Sequence, residues 1–315
     1  MQDTTGRTIR YLRLSVTDRC NLRCRYCAPG AVSHTAATEL TAAQIEEIAA
    51  AAIALGMDKI RITGGEPLMR PDILDICRRV AALPGLNELC MTTNGILLAD
   101  YAEELRKAGV NRVNISLDTL DADKFRTFTR GGELADVLRG IEAAEAAGLT
   151  PIKLNVVLMG GENDDEISAF VALTRDRPIN VRFIELMPIG ESADWPAERF
   201  ISGDAVLSAC PELQSNPQDG DGVARIYRLP GGVGKVGLIS PMSRHFCARC
   251  NRIRVTADGK LKPCLHSEQE ITLQGLHGEA LADALRAGIA AKPKAHNMDA
   301  NHPSESRRNM HQIGG

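Results

Sequence analysis

The stretch RVNISLDTLDADKFRTFTRGGELADVLRGIEAAEAAGLTPIKLNVVLM, residues 112 to 159, opens and closes on apolar and β-branched runs, RVNISL (112 to 117) and IKLNVVLM (152 to 159). Between them LADVLRGIEAAEAAG (134 to 148) has the apolar spacing of an amphipathic helix and stops at Gly148. Strand, helix and strand in that order is the connection that parallel neighbours require. The unit recurs outward in both directions. YLRLSV (11 to 16), KIRIT (59 to 63), ELCMTT (88 to 93) and VRFIELM (181 to 187) read as further strands, and TAAQIEEIAAAAIAL (41 to 55) as a helix with Thr41 as N-cap and Gly56 as stop. Six strands in βα alternation predict a mainly parallel α/β sheet, either open and doubly wound or curled into a complete or partial barrel. Cys20 to Cys27, Gly64 to Pro67, Thr93 to Gly95, Ser116 and Asp118 all fall at C-terminal strand ends, where α/β folds place their active sites.

Past residue 190 the alternation stops. Pro211 to Gly222 is polar, and PGGVGKVGLISP (230 to 241) reads as turns and short antiparallel strands. Within it Gly232-x-Gly234-x-x-Gly237 matches a dinucleotide fingerprint but neither follows the first strand of a βαβ unit nor opens a helix, so it reads as a turn. The expected organisation is a barrel region over 1–190, a C-terminal region over 191–291, and a polar tail over 292–315 ending in Gly314-Gly315. With 44% hydrophobic and 24% charged residues the 315-residue chain is not a disordered one, and its net charge of −3 excludes a broadly basic nucleic-acid binder. Trp195 and four tyrosines are too scattered for a base-stacking platform. No apolar run reaches the length of a membrane span, and the first residues lack the pattern of a secretory signal, so no membrane association and a cytoplasmic location are expected.

Six of the nine cysteines lie in two tight groups, the distribution of metal ligands in a reducing compartment. Cys77, Cys90 and Cys210 stand alone and read as small buried hydrophobes. Cys20, Cys24 and Cys27 form C-x3-C-x2-C, a grouping that chance gives to about one cysteine in a thousand. Three thiolates bind three irons of a [4Fe-4S] cube and leave the fourth open for chemistry; a zinc site closed by His34 is the alternative. Cys247, Cys250 and Cys264 form C-x2-C-x13-C, and His245 or His266 would suit a zinc tetrahedron there. Arg252 and Arg254, two apart on a strand, place two cations on one face beside that group, which favours an anionic substrate over structural closure.

C-x3-C-x2-C with Tyr26, followed one βα unit later by Gly64-Gly65-Glu66-Pro67, resembles the radical S-adenosylmethionine superfamily. RLSVTDRCNLRCRYC, IRITGGEPLMR, TTNG, NISLD, RFIELMP, HFCARCNRIRVTADGKLKPCL and the terminal Gly-Gly are similar, over nearly the whole chain, to the GTP 3′,8-cyclase family of molybdenum cofactor biosynthesis. The resemblance implies a partial (β/α)6 TIM-type barrel with a C-terminal iron-sulfur extension. It implies two [4Fe-4S] clusters, one on Cys20, Cys24 and Cys27 and one on Cys247, Cys250 and Cys264, facing each other across the barrel mouth. S-adenosylmethionine would meet Tyr26, Gly65, Glu66, Ser116 and Met187, and GTP would meet Arg13, Arg61, Thr92, Lys153, Arg252 and Arg254, the last two also assisting catalysis. The implied reaction is abstraction of hydrogen from C3′ of GTP by a 5′-deoxyadenosyl radical and attack of C3′ on guanine C8. A one-electron donor such as flavodoxin or ferredoxin and a downstream cyclic pyranopterin monophosphate synthase are the implied partners; a homodimer is the assembly considered. The resemblance also brings the terminal Gly-Gly to the active site, and Ala28 departs from the family's usual methionine. A peptide-modifying radical enzyme with an auxiliary cluster is the rival reading, and a non-catalytic two-zinc module a second.

Overall fold

The computed structural model describes residues 1–27, 39–190, 199–215, 222–299 and 302–314; His34, Ala28, Trp195 and Gly315 lie outside them. The six expected runs form β1 (Tyr11–Ser15), β2 (Lys59–Thr63), β3 (Glu88–Thr93), β4 (Arg112–Ser116), β5 (Ile152–Leu158) and β6 (Ile179–Glu185), each parallel to the next. The crossovers carry α1 (Ala42–Ala54), α2 (Ile73–Ala81), α3 (Leu98–Lys107), α4 (Ala122–Thr129), α5 (Leu134–Ala146) and α6 (Ile167–Ala172). Thr41 caps α1 in a reciprocal box, its hydroxyl accepting from the Gln44 N–H while its own N–H donates to Gln44 Oε1 at 2.9 Å. β6 starts and ends two residues earlier than expected, which leaves Met187 beyond the strand end.

The pleat sorts these strands into two faces. Leu12, Leu14, Ile60, Ile62, Val113 and Ile115 are fully buried and join Ile45, Ile48 and the other helix residues in one core. Each such side chain contributes roughly 1.5–3 kcal/mol. The alternate positions are polar and face the concave side: Tyr11, Arg13, Arg61, Arg112, Asn114, Asn155 and Arg182 line a cavity there. A closed barrel fills that space with branched apolar side chains; this one is lined with cations.

Residues beyond 190 form α7 (Asp204–Ala209), β7 (Gln214–Ser215), β8 (Arg225–Arg228), β9 (Lys235–Ile239), β10 (Arg252–Val255), β11 (Lys260–Lys262), β12 (Ile271–Thr272), α8 (Gly278–Ala290) and α9 (Met310–Ile313). The glycine-rich segment is the β8–β9 antiparallel turn, as expected, but β9 also pairs parallel with β6, and β10 pairs parallel with β1. Both strands thus extend the barrel sheet instead of building a separate one, giving the order β12-β11-β10-β1-β2-β3-β4-β5-β6-β9-β8-β7. Their pairing satisfies the edges that β1 and β6 would otherwise expose. At the β9 edge a Cβ on Gly234 would stand 2.0 Å from the Ile179 carbonyl, so only glycine permits the approach. Among the described residues no helix is long and apolar enough to cross a membrane.

The tail does not behave as its polar composition suggests. Arg308 Nη1 and Nη2 donate to Asp258 (3.0 and 2.9 Å), and its Nε and Nη2 to Glu270 (2.6 and 2.8 Å). Gly314 then lies between Ser15 and Thr63, where a Cβ would meet Thr63 Oγ1 at 2.3 Å, and its carbonyl accepts from Arg254 Nη1 at 2.7 Å.

Candidate active site

The loop after β1 carries Cys20, Cys24 and Cys27, all partly exposed and all bordering the cavity. The turn after β2 grips it: Gly65 N–H donates to the Thr17 carbonyl (2.8 Å) and Glu66 N–H to the Arg19 carbonyl (2.7 Å). A Cβ on Gly65 would lie 2.2 Å from the Arg19 oxygen, so the glycine lets the two loops touch. Tyr26 donates to Asp118 Oδ2 (3.0 Å), and its ring packs on Phe128 with centroids 5.6 Å apart. Burial pushes the Cys27 thiol up to about 12, with Cys20 adding to it, and raises Cys24 and Cys20 as well. Thiols held this high need a bound cationic metal to become thiolates.

Glu66 lies behind the cavity wall. It is fully buried and does not border the cavity; its oxygens accept from Leu68 N–H (3.1 Å), Thr93 Oγ1 (2.8 Å) and Asn94 N–H (2.7 Å). Asn94 in turn donates to Asn21 Oδ1 (2.7 Å) and contacts Cys20 Sγ (3.8 Å), so Glu66 acts on the cysteine loop through Asn94. Glu66→Ala strands three donors at about 1–3 kcal/mol each. A fall of at least roughly 6 °C in the thermal midpoint is expected, and an unchanged melt would contradict this role.

Cys247 opens a 3-10 turn, Cys247–Arg249, whose closing bond runs from Cys250 N–H to the Cys247 carbonyl (3.1 Å). Burial pushes the Cys250 thiol up, but Arg252 and Lys292 outweigh it and bring it down to about 6. The histidines pack together: His245 lies tilted against His296 and His266 edge-on to it, with ring centroids 4.3 and 4.9 Å away. Burial and His296 pull His266 down to about 3, so it is neutral. Among the described residues no three His, Cys, Asp or Glu side chains converge on a single-ion position. Each triad offers three thiolates, which a cube can take on three different irons with the fourth left open.

The two triads lie at opposite ends of the strands. The first follows the C-terminal end of β1; Cys247 and Cys250 precede β10, which is parallel to β1, and Cys264 follows the antiparallel β11. They therefore face each other along the barrel interior and not across its mouth, at opposite ends of β1, whose four residue steps span roughly 13 Å. All six cysteines line one cavity of about 340 Å³. Its wall between them is layered by register: Tyr11 beside Lys59 and Arg252, then Arg13 beside Arg61 and Arg254. Burial and then Arg254 hold the Arg13 guanidinium well below its ordinary range, and burial and then Arg252 bring Arg254 down to about 10. The Arg61 Cζ and Lys59 Nζ lie 5.6 and 5.3 Å from the Tyr11 ring centroid, and Arg61 Nη1 donates to Thr92 Oγ1 (3.4 Å).

Tyr26, Gly65, Ser116, Met187, Arg13, Arg61, Thr92, Arg252 and Arg254 all border this cavity. Lys153 does not; it borders an adjoining space of about 280 Å³ at the N-terminal ends of β5, β6 and β9, and Arg182 lines both. Lys59, Arg112, Asn155, Arg182 and Lys292 were not among the expected site residues. The signal for the first four is polar residues at every second position of parallel strands, where a strand covered on both faces would be continuously apolar.

A family model described as the Radical SAM superfamily matches residues 14–174, and one described as Molybdenum Cofactor Synthesis C matches residues 179–298. The GTP 3′,8-cyclases of Alkaliphilus oremlandii and Peptoclostridium acidaminophilum are 49% and 51% identical, over 100% and 99% of this chain and 100% and 98% of theirs. Streptococcus suis SuiB bound to S-adenosylmethionine gives a TM-score of 0.58 at 13% identity, over 88% of this chain and 63% of that one. Native anSMEcpe with bound AdoMet gives 0.56 at 14% identity, over 86% and 79%. These two likenesses concern the fold alone, a partial TIM-type barrel. Barrel, cysteine loop and family match together define a radical S-adenosylmethionine enzyme, a class that binds a [4Fe-4S] cluster and S-adenosylmethionine. At this identity over its full length, the chain belongs to the GTP 3′,8-cyclase family.

Proposed function

We propose that this chain converts GTP to (8S)-3′,8-cyclo-7,8-dihydroguanosine 5′-triphosphate, the first step of molybdenum cofactor biosynthesis, with a [4Fe-4S] cluster on each cysteine triad. The observation that carries this reading is that both triads open into one cavity whose wall between them is basic. When bound, the first cluster and S-adenosylmethionine would supply the 5′-deoxyadenosyl radical that takes hydrogen from ribose C3′; C3′ would then join guanine C8, and one electron and one proton would complete the 7,8-dihydro product.

The remaining work falls on side chains. Tyr26, Gly65, Ser116 and Met187 bind S-adenosylmethionine at the first triad, with Asp118 fixing the Tyr26 ring through its hydroxyl. Arg13, Arg61, Thr92, Arg252 and Arg254 hold the triphosphate, whose roughly four negative charges offset the repulsion among buried guanidinium groups. Lys153, with Arg182, serves the phosphate end from the adjoining space. Gripping the phosphates at mid-barrel and the purine at the second triad leaves the ribose only a narrow range of positions, which is how C3′ is presented to the radical. The tail limits solvent access, with His311 Nδ1 at 3.1 Å from the Cys27 carbonyl and Gly314 wedged at the strand ends. A flavodoxin- or ferredoxin-type protein supplies electrons in the reducing cytoplasm, and a cyclic pyranopterin monophosphate synthase takes the product.

Reduced, anaerobically reconstituted protein incubated with S-adenosylmethionine and GTP is expected to form 5′-deoxyadenosine and a cyclised nucleotide together. The assignment fails if GTP raises 5′-deoxyadenosine no higher than buffer does.

A further inference from the structure

The segment that follows α8 supplies no cysteine, yet it is bonded to the backbone beside two ligands of the second triad, Cys250 and Cys264. Lys292, only 4% exposed, donates from Nζ to the Arg252 carbonyl (2.8 Å), two residues past Cys250, and to the Pro263 carbonyl (3.0 Å), immediately before Cys264. Arg7, also buried, completes the frame from the N-terminal side. Its Nη1 donates to the Cys247 carbonyl (2.8 Å) and the Lys294 carbonyl (3.1 Å), and its Nη2 to the carbonyls of Lys292 (3.4 Å) and Pro293 (2.8 Å). Asp3 Oδ2 accepts from its Nε at 2.6 Å, so all three guanidinium nitrogens are committed.

A buried cation is costly unless its donors are met, and here they are met largely by main-chain carbonyls. Those carbonyls are thereby held in one arrangement: Lys292 ties the chain after Cys250 to the chain before Cys264, and Arg7 ties Cys247 to the segment that carries Lys292. A cube bound by three thiolates from separate turns requires such a fixed separation, whereas general packing would not gather these bonds around the three ligands.

We propose that Lys292 and Arg7 are positioning residues for the second [4Fe-4S] cluster, setting the separation of Cys247, Cys250 and Cys264 without touching the cluster's irons. The inference rests on the reading of that triad as a cluster site. Parent chain, Lys292→Met, Arg7→Met and Lys292→Arg are reconstituted anaerobically and compared by iron and sulfide content, by the electron paramagnetic resonance of the reduced clusters, and by S-adenosylmethionine affinity. The parent is expected to hold about eight irons, and the two methionine variants about four, with the second cluster's signal lost and S-adenosylmethionine affinity kept within about threefold. Lys292→Arg, which keeps a cation and several donors, should regain most of the missing iron. About eight irons and an unchanged spectrum in both methionine variants would overturn the inference. Loss of both clusters together with S-adenosylmethionine binding would also overturn it, because the residues would then serve the fold at large. A parent chain holding only about four irons would instead sink the two-cluster reading itself.

Discussion

Cys264→Ser is expected to abolish formation of the cyclised nucleotide while leaving S-adenosylmethionine affinity within about threefold of the parent. The two triads share a cavity but not a support. The first is held at the C-terminal ends of β1 to β4 by Thr17, Gly65, Asn94 and Asp118; the second is built at the opposite end, on the turn before β10 and the residues after β11. A lost thiolate at Cys264 therefore disturbs the purine end and leaves the end that generates the radical intact. Slow, GTP-independent formation of 5′-deoxyadenosine should persist, since reductive cleavage needs only the first end. Equal loss of S-adenosylmethionine binding and of cyclisation would show that the two ends are one structural unit.

Arg254→Met is expected to change function and stability in opposite directions. Arg254 is 7% exposed, pairs in register with Arg13, and stands two residues from Arg252 on the same face of β10. Burial and then Arg252 bring its guanidinium down to about 10. At neutral pH, well below that value, it is charged in both the folded and unfolded chain, so its repulsion with Arg252 and Arg13 weighs fully on the fold. Removing it relieves that repulsion and forfeits one bond to the Gly314 carbonyl, leaving a net gain on the order of 1 kcal/mol, or about 2–3 °C in the thermal midpoint without nucleotide. The loss of a charge-assisted contact to phosphate should lower kcat/KM for GTP by about tenfold to a hundredfold. GTP should stabilise the parent more than the variant. A variant that melts lower without GTP and is stabilised equally by it would show that Arg254 is a structural cation and not a phosphate ligand.

The strands between residues 11 and 185 were legible because each carries a run of β-branched and apolar residues between helices with clear stops, such as Gly56 and Gly148. The first triad was legible from its spacing, whereas the spacing of the second suits zinc as well and only Arg252 and Arg254 beside it point to a site for an anion. The pairing of β10 with β1 was not, because the two are some 240 residues apart and nothing local in Arg252–Val255 names its neighbour. That pairing decides that the second triad lies at the far end of the barrel. The partners of Glu66 were not legible for a related reason: a carboxylate beside two glycines looks the same in sequence whether its donors belong to a ligand or to Leu68, Thr93 and Asn94, which bond it here. Lys292 carried no signal because Lys-Pro-Lys before a polar run has the composition of a solvated terminus, and only tertiary packing buries it.

The opposed placement of the triads makes β1 a caliper. The strand between its jaws runs roughly 13 Å, which leaves room for two occupants in line, S-adenosylmethionine at one end and a nucleotide reaching from the other to mid-barrel. The approach of the ribose to the radical is then a matter of length before it is one of hydrogen bonding. The gauge is a rigid strand paired on both sides, so a change in its span would require inserting residues into β1 and could not come from repacking a loop.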